Sequence, residues 1–585
     1  MSDEVDESLA EENPLESWED GSAFGVAEEK DPVCKTPVEE WIKKVDITST
    51  ADVPIPKNLV DQVIGQDAAS IVVRKAAEQR RHVIMVGEPG TGKSMLARSM
   101  TEFLPKEQLE DILVYRNQDD ENEPKVRTVP AGRGSRIISE RKALIRQQRE
   151  RTNRTLLFIV LIVGAALVLA TLSSGEILTL IFGSFLLIFG YFFLRGRLTA
   201  GDEGNIPKLL VKHERNEEPP FIDATGTLAG ALLGDVRHDP FQSGADLATP
   251  AHERVEPGAV HRANKGVLYI DEIRMLRMEE QQALLVAMQE KALSISGRSE
   301  RSSGALTKSE PVPTDFILIA AGNLDSIQNM HPALRSRIRG YGYEVYVNTD
   351  MPDTEKNRRR LIRFVSQEVV NERKKTSGKP IPHFDVESIG LILKEAQRRS
   401  GRRGRLSLRL RELGGLIRIA GDLAVEENAE ITTASHVIRA RAIAKPLEQQ
   451  VADRYLERQA DYSMIVNKGE RIGRVNGLAV LGADSGLSDY SGVVLPVEAM
   501  VTAAHGRSGQ VIATGGLSDL AKESVTNISA VVKKLTGNDI KDFDIHVQFP
   551  GTHNVDGDSA SITMATAIIS AFEGLPIEQN LAMTG

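Results

Sequence analysis

Two apolar runs near the middle of this 585-residue chain constrain its fold more than any other feature. The first run, Leu156–Leu172, and the second, Ile177–Leu194, contain no charged residue, and only the short turn Ser173–Glu176 separates them. At about 1.5 Å per helical residue, each run nearly crosses the roughly 30 Å hydrocarbon core of a bilayer. A buried hairpin in a soluble protein is the alternative, but such helices normally keep a polar stripe. We therefore expect a transmembrane helical hairpin over residues 155–195.

Arginines flank both apolar runs, whereas the turn between them carries no positive charge. They are Arg146, Arg149, Arg151 and Arg154 before the first run, and Arg195 and Arg197 after the second. Because positively charged flanks stay on the cytoplasmic side, we expect a cell-membrane protein with two spans. Both termini and all soluble parts are then cytoplasmic.

A phosphate-binding motif precedes the hairpin. The apolar stretch Arg81–Val86 predicts a short buried strand, and it leads into a segment that fits the G-x-x-x-x-G-K-[ST] pattern. Glycines in such a loop let backbone N–H groups surround phosphates at a helix N-terminus. Lys93 is expected to contact the β- and γ-phosphates of ATP, and Ser94 to bind Mg²⁺. The expected ligands are Gly87, Glu88, Pro89, Gly90, Thr91, Gly92, Lys93 and Ser94.

The acidic strand that completes such a site comes only after the hairpin. Gly266–Ile270 is a second apolar strand, followed by Asp271 and Glu272. Asp271 is the expected second magnesium ligand and Glu272 the base that activates water. A capping acid pair is the alternative in isolation. Because both motifs build one site, both must lie on one side of the membrane, which requires an even number of spans.

A third buried strand, Asp315–Ala321, ends near Asn323. The polar side chain of Asn323 could position the attacking water close to the γ-phosphate. An asparagine at the end of a strand is also a common turn residue, so both interpretations stay open at this point.

These motifs resemble those of the AAA+ ATPases, and the expected fold is therefore α/β, with a P-loop ATPase domain that contains the hairpin. The resemblance implies that Val63–Gln66, including Ile64, contacts adenine and that Asn323 is the sensor-1 residue. It also implies an arginine finger in Leu334–Arg337, where Arg337 is favoured and Arg335 is the alternative. Such a finger acts on a neighbouring subunit, so the resemblance implies a homohexamer.

A helical lid follows from the same resemblance. Residues from about Met351 to Ala452 alternate apolar and charged stretches with helical periodicity. Leu410–Leu413 resembles the sensor-2 segment, in which Arg411 is favoured to contact nucleotide and Arg409 is the alternative. Either arginine could instead belong to a solvated helix face.

The remaining sequence changes to short β-rich stretches. Val475–Val480, Val511–Gly515 and Asp544–Phe549 alternate strand-forming residues, and Ala560–Ala571 predicts a helix. Ser559 lies in the loop before that helix. A serine there is well placed as a nucleophile near helix N-terminal amides; the alternative is that Asp558 or Ser559 is simply an N-cap.

An AAA+ module joined to this β-rich segment, with Val555–Ser561, resembles the archaeal, membrane-anchored branch of the Lon proteases from about residue 37 to the end. The resemblance implies that Ser559 is the nucleophile of a serine–lysine dyad. It places Asp556 and Glu498 among acids near the site, although ordinary surface acids are the alternative. The family's lysine lies beyond Gly585, and three preceding lysines do not match its motif: Lys533, Lys534 and Lys541. A chain ending at Gly585 is therefore expected to hydrolyse ATP without cleaving peptide bonds.

The resemblance implies an ATP-dependent serine endopeptidase that unfolds and degrades cytosolic and membrane proteins. Phe241 is expected to face the central pore, or else to be a packing aromatic. A membrane-tethered AAA+ remodelling ATPase without proteolysis, or a helicase relative, is the alternative. A zinc-dependent protease is not expected, because Ala251–Arg254 lacks the second histidine of H-E-x-x-H.

Composition limits partners and compartment. The formal net charge of -10 gives no overall attraction to nucleic acid, and we expect none to be required. The single cysteine, Cys34, cannot form an internal disulfide, which favours a reducing cytosol.

The expected domains follow from these motifs. They are an acidic disordered tail (1–36), the first part of the AAA+ large subdomain (37–154), the hairpin (155–195), the second part of the large subdomain (196–350), the helical lid (351–457) and an incomplete α+β Lon-type proteolytic domain (458–585).

Overall fold

The computed structural model describes residues 32–584 with gaps. The residues left out are 121, 175–182, 184, 188, 194–205, 238–248, 298–306, 376–378, 448, 452, 455, 456, 458–464, 482–490, 505–508, 510, 515–527, 529, 536, 538–541 and 551–560. The chain divides into two compact units, one up to Ala440 and one from Arg441.

A five-stranded parallel sheet forms the centre of the first unit. Its strands are β1 (Val83–Val86), β2 (Phe221–Asp223), β3 (Val267–Ile270), β4 (Ile317–Gly322) and β5 (Tyr343–Tyr346). They lie in the order β5-β1-β4-β3-β2. Strands β3 and β4 are completely buried because helices cover both faces, which explains their continuous apolar sequences. The strands predicted from the three apolar stretches are therefore confirmed.

Side chains alternate between two cores, one on each face of the sheet. On one face Met85 and Ile319 pack with the helices Asp67–Glu78 and Lys93–Ser99. On the other, Ile84 and Leu318 pack with helices that include Met278–Glu290 and Pro332–Tyr341. Short helices complete this unit: Val38–Ile42, Leu59–Gln62, Ala229–Leu233, Ala251–Arg254, Ala259–Arg262 and Leu324–Gln328, with 3-10 turns at Thr50–Asp52, Met100–Phe103, Lys106–Gln108 and Ile273–Met275.

Four helices form the lid after β5. They are Glu355–Lys375, Val386–Ser400, Leu410–Glu426 and Ala434–Ile443, joined by the small strand pairs Asp350–Pro352 with Arg405–Ser407 and His383–Phe384 with Ile431–Thr432. Their apolar faces form one core, and Val38, Trp41 and Ile42 from the start of the chain join it. The beginning of the folded chain is therefore packed on the lid.

A separate three-stranded antiparallel sheet carries the apolar insertion. Glu110–Tyr115 lies between Lys125–Pro130 and Lys208–Val211. A single 42-residue helix, Arg133–Ser174, leaves this sheet, and at 1.5 Å per residue it is about 63 Å long. The helix begins well before the apolar run, so its first half is a charged, exposed shaft.

Within the described part of the chain, one helix is long and apolar enough to cross a membrane, and it spans Arg133–Leu169. The second apolar run is described only at 183, 185–187 and 189–193, where it is helical. A Cβ atom at Gly183 would lie 2.5 Å from Leu167 Cδ1, so the two runs touch there. Large apolar side chains such as Phe158, Leu169, Phe185 and Leu186 are more than half exposed, which water disfavours.

The second unit is built on a mixed five-stranded sheet. Its strands are β6 (Arg474–Leu481), β7 (Ser491–Ala503), β8 (Val511–Thr514), β9 (Phe543–Gln548) and β10 (Ala582–Met583), in the order β8-β9-β7-β6-β10. The helix Ser561–Glu573 packs on this sheet, and Glu470–Arg471 pairs with Ile577–Glu578.

Sequence analysis missed β7, the longest strand of the second unit. Pro496 and Glu498 interrupt its apolar pattern, and a proline normally argues against a central strand. Here β9 pairs with β7 only from Glu498 onward. At Pro496 only β6 is paired with β7, so the missing N–H costs no hydrogen bond on the other side.

Candidate nucleotide site and proteolytic site

The phosphate loop Gly87–Ser94 connects the end of β1 to the helix Lys93–Ser99. The N–H of Gly87 donates to the carbonyl of Gly322 at 3.0 Å, which joins the loop to the end of β4. Gly90 and Gly92 have φ angles of +82° and +90°, a region that strongly favours glycine. The loop thus needs glycines at these two positions to turn into the helix.

Lys93 closes the loop on itself. Its Nζ donates to the carbonyls of Gly87 at 2.7 Å and Glu88 at 3.0 Å, and the side chain is buried. Burial lowers the pKa of Lys93, while the carboxylates of Asp271 and Glu272 oppose that shift. A phosphate bound in the loop would give this buried ammonium a negatively charged partner. Ser94 is exposed in the first turn of the helix.

Asp271 and Glu272 directly follow β3, and Asn323 follows the neighbouring β4. The side chain of Asn323 accepts from the N–H of Ser326 at 2.7 Å and so caps the helix Leu324–Gln328. The hydroxyl of Ser326 donates to Glu272 Oε2 at 2.5 Å. Asn323 is therefore both a cap and a neighbour of the acidic pair.

Ser326 is a site residue that sequence reasoning missed. It is buried, and it links the carboxylate of Glu272 to the end of β4. The available signal was its place three residues after Asn323, the usual donor position of an asparagine cap. Glu272 itself has a φ of +51° and lies 3.6 Å from Arg274 Nε, so its backbone and its carboxylate are both constrained.

Both lid arginines reach the phosphate loop. Arg409 Nε donates to Glu88 Oε2 at 2.9 Å. The N–H of Arg411 donates to the carbonyl of Gly90 at 3.3 Å, and the positive charge of Arg411 contributes to the low pKa of Lys93. Among the residues that the structure describes, Arg411 makes no ion pair. Its guanidinium is thus the more available of the two for a phosphate.

The segment Val63–Gln66 joins the loop to the lid. Ile64 is buried in the lid core, and a Cβ at Gly65 would strike Leu408. Gln66 Nε2 donates to the carbonyl of Asn348 at 2.8 Å and its Oε1 accepts from the N–H of Asn348. The predicted adenine contact therefore lies where the sheet meets the lid.

Arg337 and Arg335 lie on the helix Pro332–Tyr341. The Arg337 guanidinium stacks on Tyr341, 4.4 Å from the ring centroid. Its charge also helps to lower the pKa of His82 to about 4, although burial is the larger cause. Tyr341 is followed by Gly342, which packs against the carbonyl of His82, and by Tyr343, which pairs with Val83 at the start of β1. Arg337 therefore lies toward the end of the sheet opposite to the phosphate loop. Arg335 Nε lies 3.9 Å from Glu344 Oε1.

Three predicted residues lie outside the described part of the chain: Ser559, Asp556 and Phe241. Ser559 comes two positions before the helix Ser561–Glu573. Glu498, on β7, accepts a hydrogen bond from Arg474 on β6 at 2.7 Å. Its carboxylate is thus held by a cross-strand ion pair.

Four family models match parts of this chain. They are described as Lon protease (S16) C-terminal proteolytic domain (residues 447–585), archaeal LonB AAA+ ATPase LID domain (383–445), magnesium chelatase subunit ChlI (59–129) and sigma-54 interaction domain (241–333). The matches thus fall on the nucleotide motifs, the lid and the second unit.

Curated relatives match almost the whole chain. A protein named archaeal Lon protease from Thermoplasma acidophilum is 55% identical over 551 residues, which is 94% of this chain and 83% of that protein. Its namesake from Thermoplasma volcanium has the same identity and coverage. The one from Archaeoglobus fulgidus is 53% identical over 94% of this chain and 86% of its own length.

Proposed function

Because this chain belongs to the archaeal Lon protease family and is thereby an ATP-dependent protease, we propose which of its residues perform each step. Membership confirms the resemblance inferred from the motifs. The observation that carries the nucleotide assignment is that Lys93 and the backbone of Arg411 both contact the loop Gly87–Ser94, and that this loop is bonded to the end of β4, the strand that pairs with β3 before Asp271 and Glu272. The C-terminal proteolytic domain match leaves the non-proteolytic remodelling ATPase without support.

In the nucleotide site, we assign Gly87–Ser94 to the phosphates of ATP and Ile64 to the adenine. Ser94 and Asp271 offer the oxygen ligands that Mg²⁺ prefers, and the bound ion would neutralise charge on the phosphates. Glu272 accepts a proton from the attacking water, while Asn323 orients that water. Arg411 contacts the γ-phosphate from the lid, with Arg409 as the alternative.

In the proteolytic site, we assign Ser559 as the nucleophile. It precedes the helix Ser561–Glu573, and the amides at a helix N-terminus stabilise the negative charge that develops during peptide cleavage. Asp556 is assigned as an acidic residue near Ser559. Glu498 is assigned a supporting role, because Arg474 already occupies its carboxylate.

The proteolytic assignment predicts a separation of the two activities. In a protein that contains this chain together with the lysine of the dyad, Ser559→Ala should abolish ATP-dependent casein degradation, because the nucleophile is gone, yet leave ATP hydrolysis close to the wild-type rate. Lys93→Ala should abolish both activities. Ser561→Ala is the matched control and should retain both. Casein cleavage that persists in Ser559→Ala would contradict the assignment.

We further propose a homohexamer and two membrane spans with both termini in the cytoplasm. Support for the two spans comes from the exposed apolar side chains, the contact between Gly183 and Leu167 and the flanking arginines. The nucleotide site adds an independent reason. Its phosphate-binding half comes before the insertion and its acidic half after it, so both ends of the insertion must lie on the same side of the membrane. The homohexamer rests on the assignment of Arg337 as a finger that acts on a neighbouring subunit. The domain limits given above remain our proposal for the whole chain.

The topology predicts opposite labelling of two cysteines. In a Cys34→Ser background, Ser174→Cys at the outer turn should react with a membrane-impermeant maleimide on intact cells. Ser139→Cys, exposed on the cytoplasmic shaft, should react only after permeabilisation. Equal reactivity of the two positions on intact cells would rule out this arrangement.

A further inference from the structure

Charge is unevenly distributed along the chain. Residues 1–31 contain twelve acidic side chains and one lysine. This segment alone therefore accounts for more than the formal net charge of -10. The rest of the chain is close to neutral, so any strongly basic surface on it is a natural partner for the N-terminal segment.

The N-terminal segment joins the folded body beside the loop Ser400–Arg405 of the lid. A Cβ at Gly404 would lie 3.1 Å from Val33 Cγ1. The N–H of Cys34 donates to the carbonyl of Asp353 at 2.7 Å, and the N–H of Asp353 donates to the carbonyl of Gly404 at 2.9 Å. These contacts fix the point where the acidic segment meets the lid.

That loop and the end of the helix before it are rich in arginine. Arg398 and Arg399 are bound by Glu395, and Arg405 by Asp350. Arg402 is 71% exposed and lies 3.6 Å from Asp350, which Arg405 already engages. No ion pair involves Arg403 within the described ranges, and it is exposed as well. Arg402 and Arg403 are thus two cations in excess of their acidic neighbours.

A polar cavity adjoins Arg402. Its volume is about 360 Å³, and its lining includes Asp350, Ser400, Arg402 and Arg405. The loop therefore offers a concave polar surface.

We propose that Glu28, Glu29 and Asp31 dock onto Arg402 and Arg403 of the same chain. An extended chain spans at most about 3.6 Å per residue, so these acids lie within reach of the loop once Val33 is placed. Exposed ion pairs are weak singly, but a short tether gives the partners a high effective concentration. Two arginines facing three carboxylates favour the docked state at low salt.

Docking would place the acidic segment on the route to the nucleotide. The arginine loop continues into the strand Arg405–Ser407 and then to Arg409, which holds Glu88 of the phosphate loop. The proposed docking surface is therefore continuous in sequence with the segment that carries both candidate sensor arginines.

Spin-label mobility in the full chain tests this docking. Cys34 is the only cysteine, so a label can be placed at Ala27→Cys in a Cys34→Ser background. At about 0.01 M salt, where the screening length is about 30 Å, we expect a slowly tumbling label. At about 1 M salt, where it is about 3 Å, the label should become mobile.

Charge reversal identifies the surface. Arg402→Glu with Arg403→Glu should leave the label mobile at both salt concentrations. Adding Glu28→Lys and Glu29→Lys should restore the slow motion. The matched control reverses two exposed cations elsewhere on the lid, Arg373→Glu with Lys374→Glu, and should behave as the parent. A label that is mobile at low salt in the parent, or slowed equally after reversal at Arg402 and Arg403, overturns the proposal.

Discussion

We expect a mixture of two inactive variants, Glu272→Gln and Arg337→Ala, to recover ATP hydrolysis that neither shows alone. Glu272→Gln removes the proposed base, which Ser326 contacts, and should lower kcat by about 10²- to 10⁴-fold. Arg337→Ala removes the proposed arginine finger and should lower kcat by about 10³- to 10⁵-fold. In the proposed assembly, Glu272 acts on the nucleotide of its own subunit and Arg337 on that of a neighbour. A mixed oligomer therefore contains some sites with both residues, and these sites should be active.

The structure supplies the reason for complementation. Arg337 stacks on Tyr341, and the next residue, Gly342, packs against the backbone of His82 at the start of β1, whereas the phosphate loop begins after Val86. Four strand residues at about 3.3 Å each separate these two ends. Arg337 therefore lies toward the end of β1 that is opposite to the phosphate loop, and we expect it to act on the nucleotide of a neighbouring subunit. A subunit lacking Arg337 but retaining Glu272 becomes active when its neighbour supplies Arg337.

Co-expressed and separately tagged subunits, purified for both tags, provide the measurement. The matched comparison replaces Arg337→Ala by Arg335→Ala, whose side chain is near Glu344. If Arg335 is the finger, only the mixture of Glu272→Gln with Arg335→Ala recovers activity. If Arg337 acts within its own subunit, the first mixture stays inactive, which would reject the proposed assembly.

Replacement of one buried carboxylate should loosen the attachment of the membrane insertion. Asp111 is fully buried. Its Oδ2 accepts from the N–H of Gly134 at 2.7 Å, and its Oδ1 accepts from the N–H of His213 at 2.8 Å. Gly134 begins the long helix, and His213 follows the strand that returns from the insertion. A single side chain thus holds both ends of the inserted segment.

Asp111→Ala should lower the free energy of unfolding of this region by about 3–6 kcal/mol, since hydrogen bonds to charged groups contribute roughly 1.5–3 kcal/mol each. Two buried N–H groups would also lose their partner. Asp111→Asn keeps one acceptor and should have an intermediate effect. The measurement is the thermal unfolding midpoint of the detergent-solubilised protein.

Asp119→Ala is the control for this substitution. Asp119 is 84% exposed and pairs with Lys125 on the same small sheet, so its loss should cost less than about 1 kcal/mol. An Asp111→Ala protein that unfolds at the same temperature as the Asp119→Ala protein would show that the carboxylate does not secure the insertion.

Local pattern was sufficient for several elements. The apolar stretches before Gly87, Asp271 and Asn323 are β1, β3 and β4 because parallel central strands are buried on both faces. The same reasoning missed β7, because Pro496 and Glu498 interrupt its apolar pattern. At Pro496, β7 pairs only with Asn476 of β6. Pattern also could not find Ser326 or Asp111, whose partners are distant in sequence.

The sequence by itself determined the nucleotide motifs, the apolar insertion between them and the family, because these depend on residue type and spacing along the chain. Only the tertiary structure decided that Arg409 holds Glu88 while Arg411 forms no ion pair with any residue that the structure describes, and that Asp111 joins the two ends of the insertion. Such pairings bring together residues far apart in the chain, and their geometry arises only when separate elements pack around a shared core. The long helix is an example of both cases. Its apolar half is evident in the sequence, whereas its start at Arg133 depends on the small sheet that anchors it.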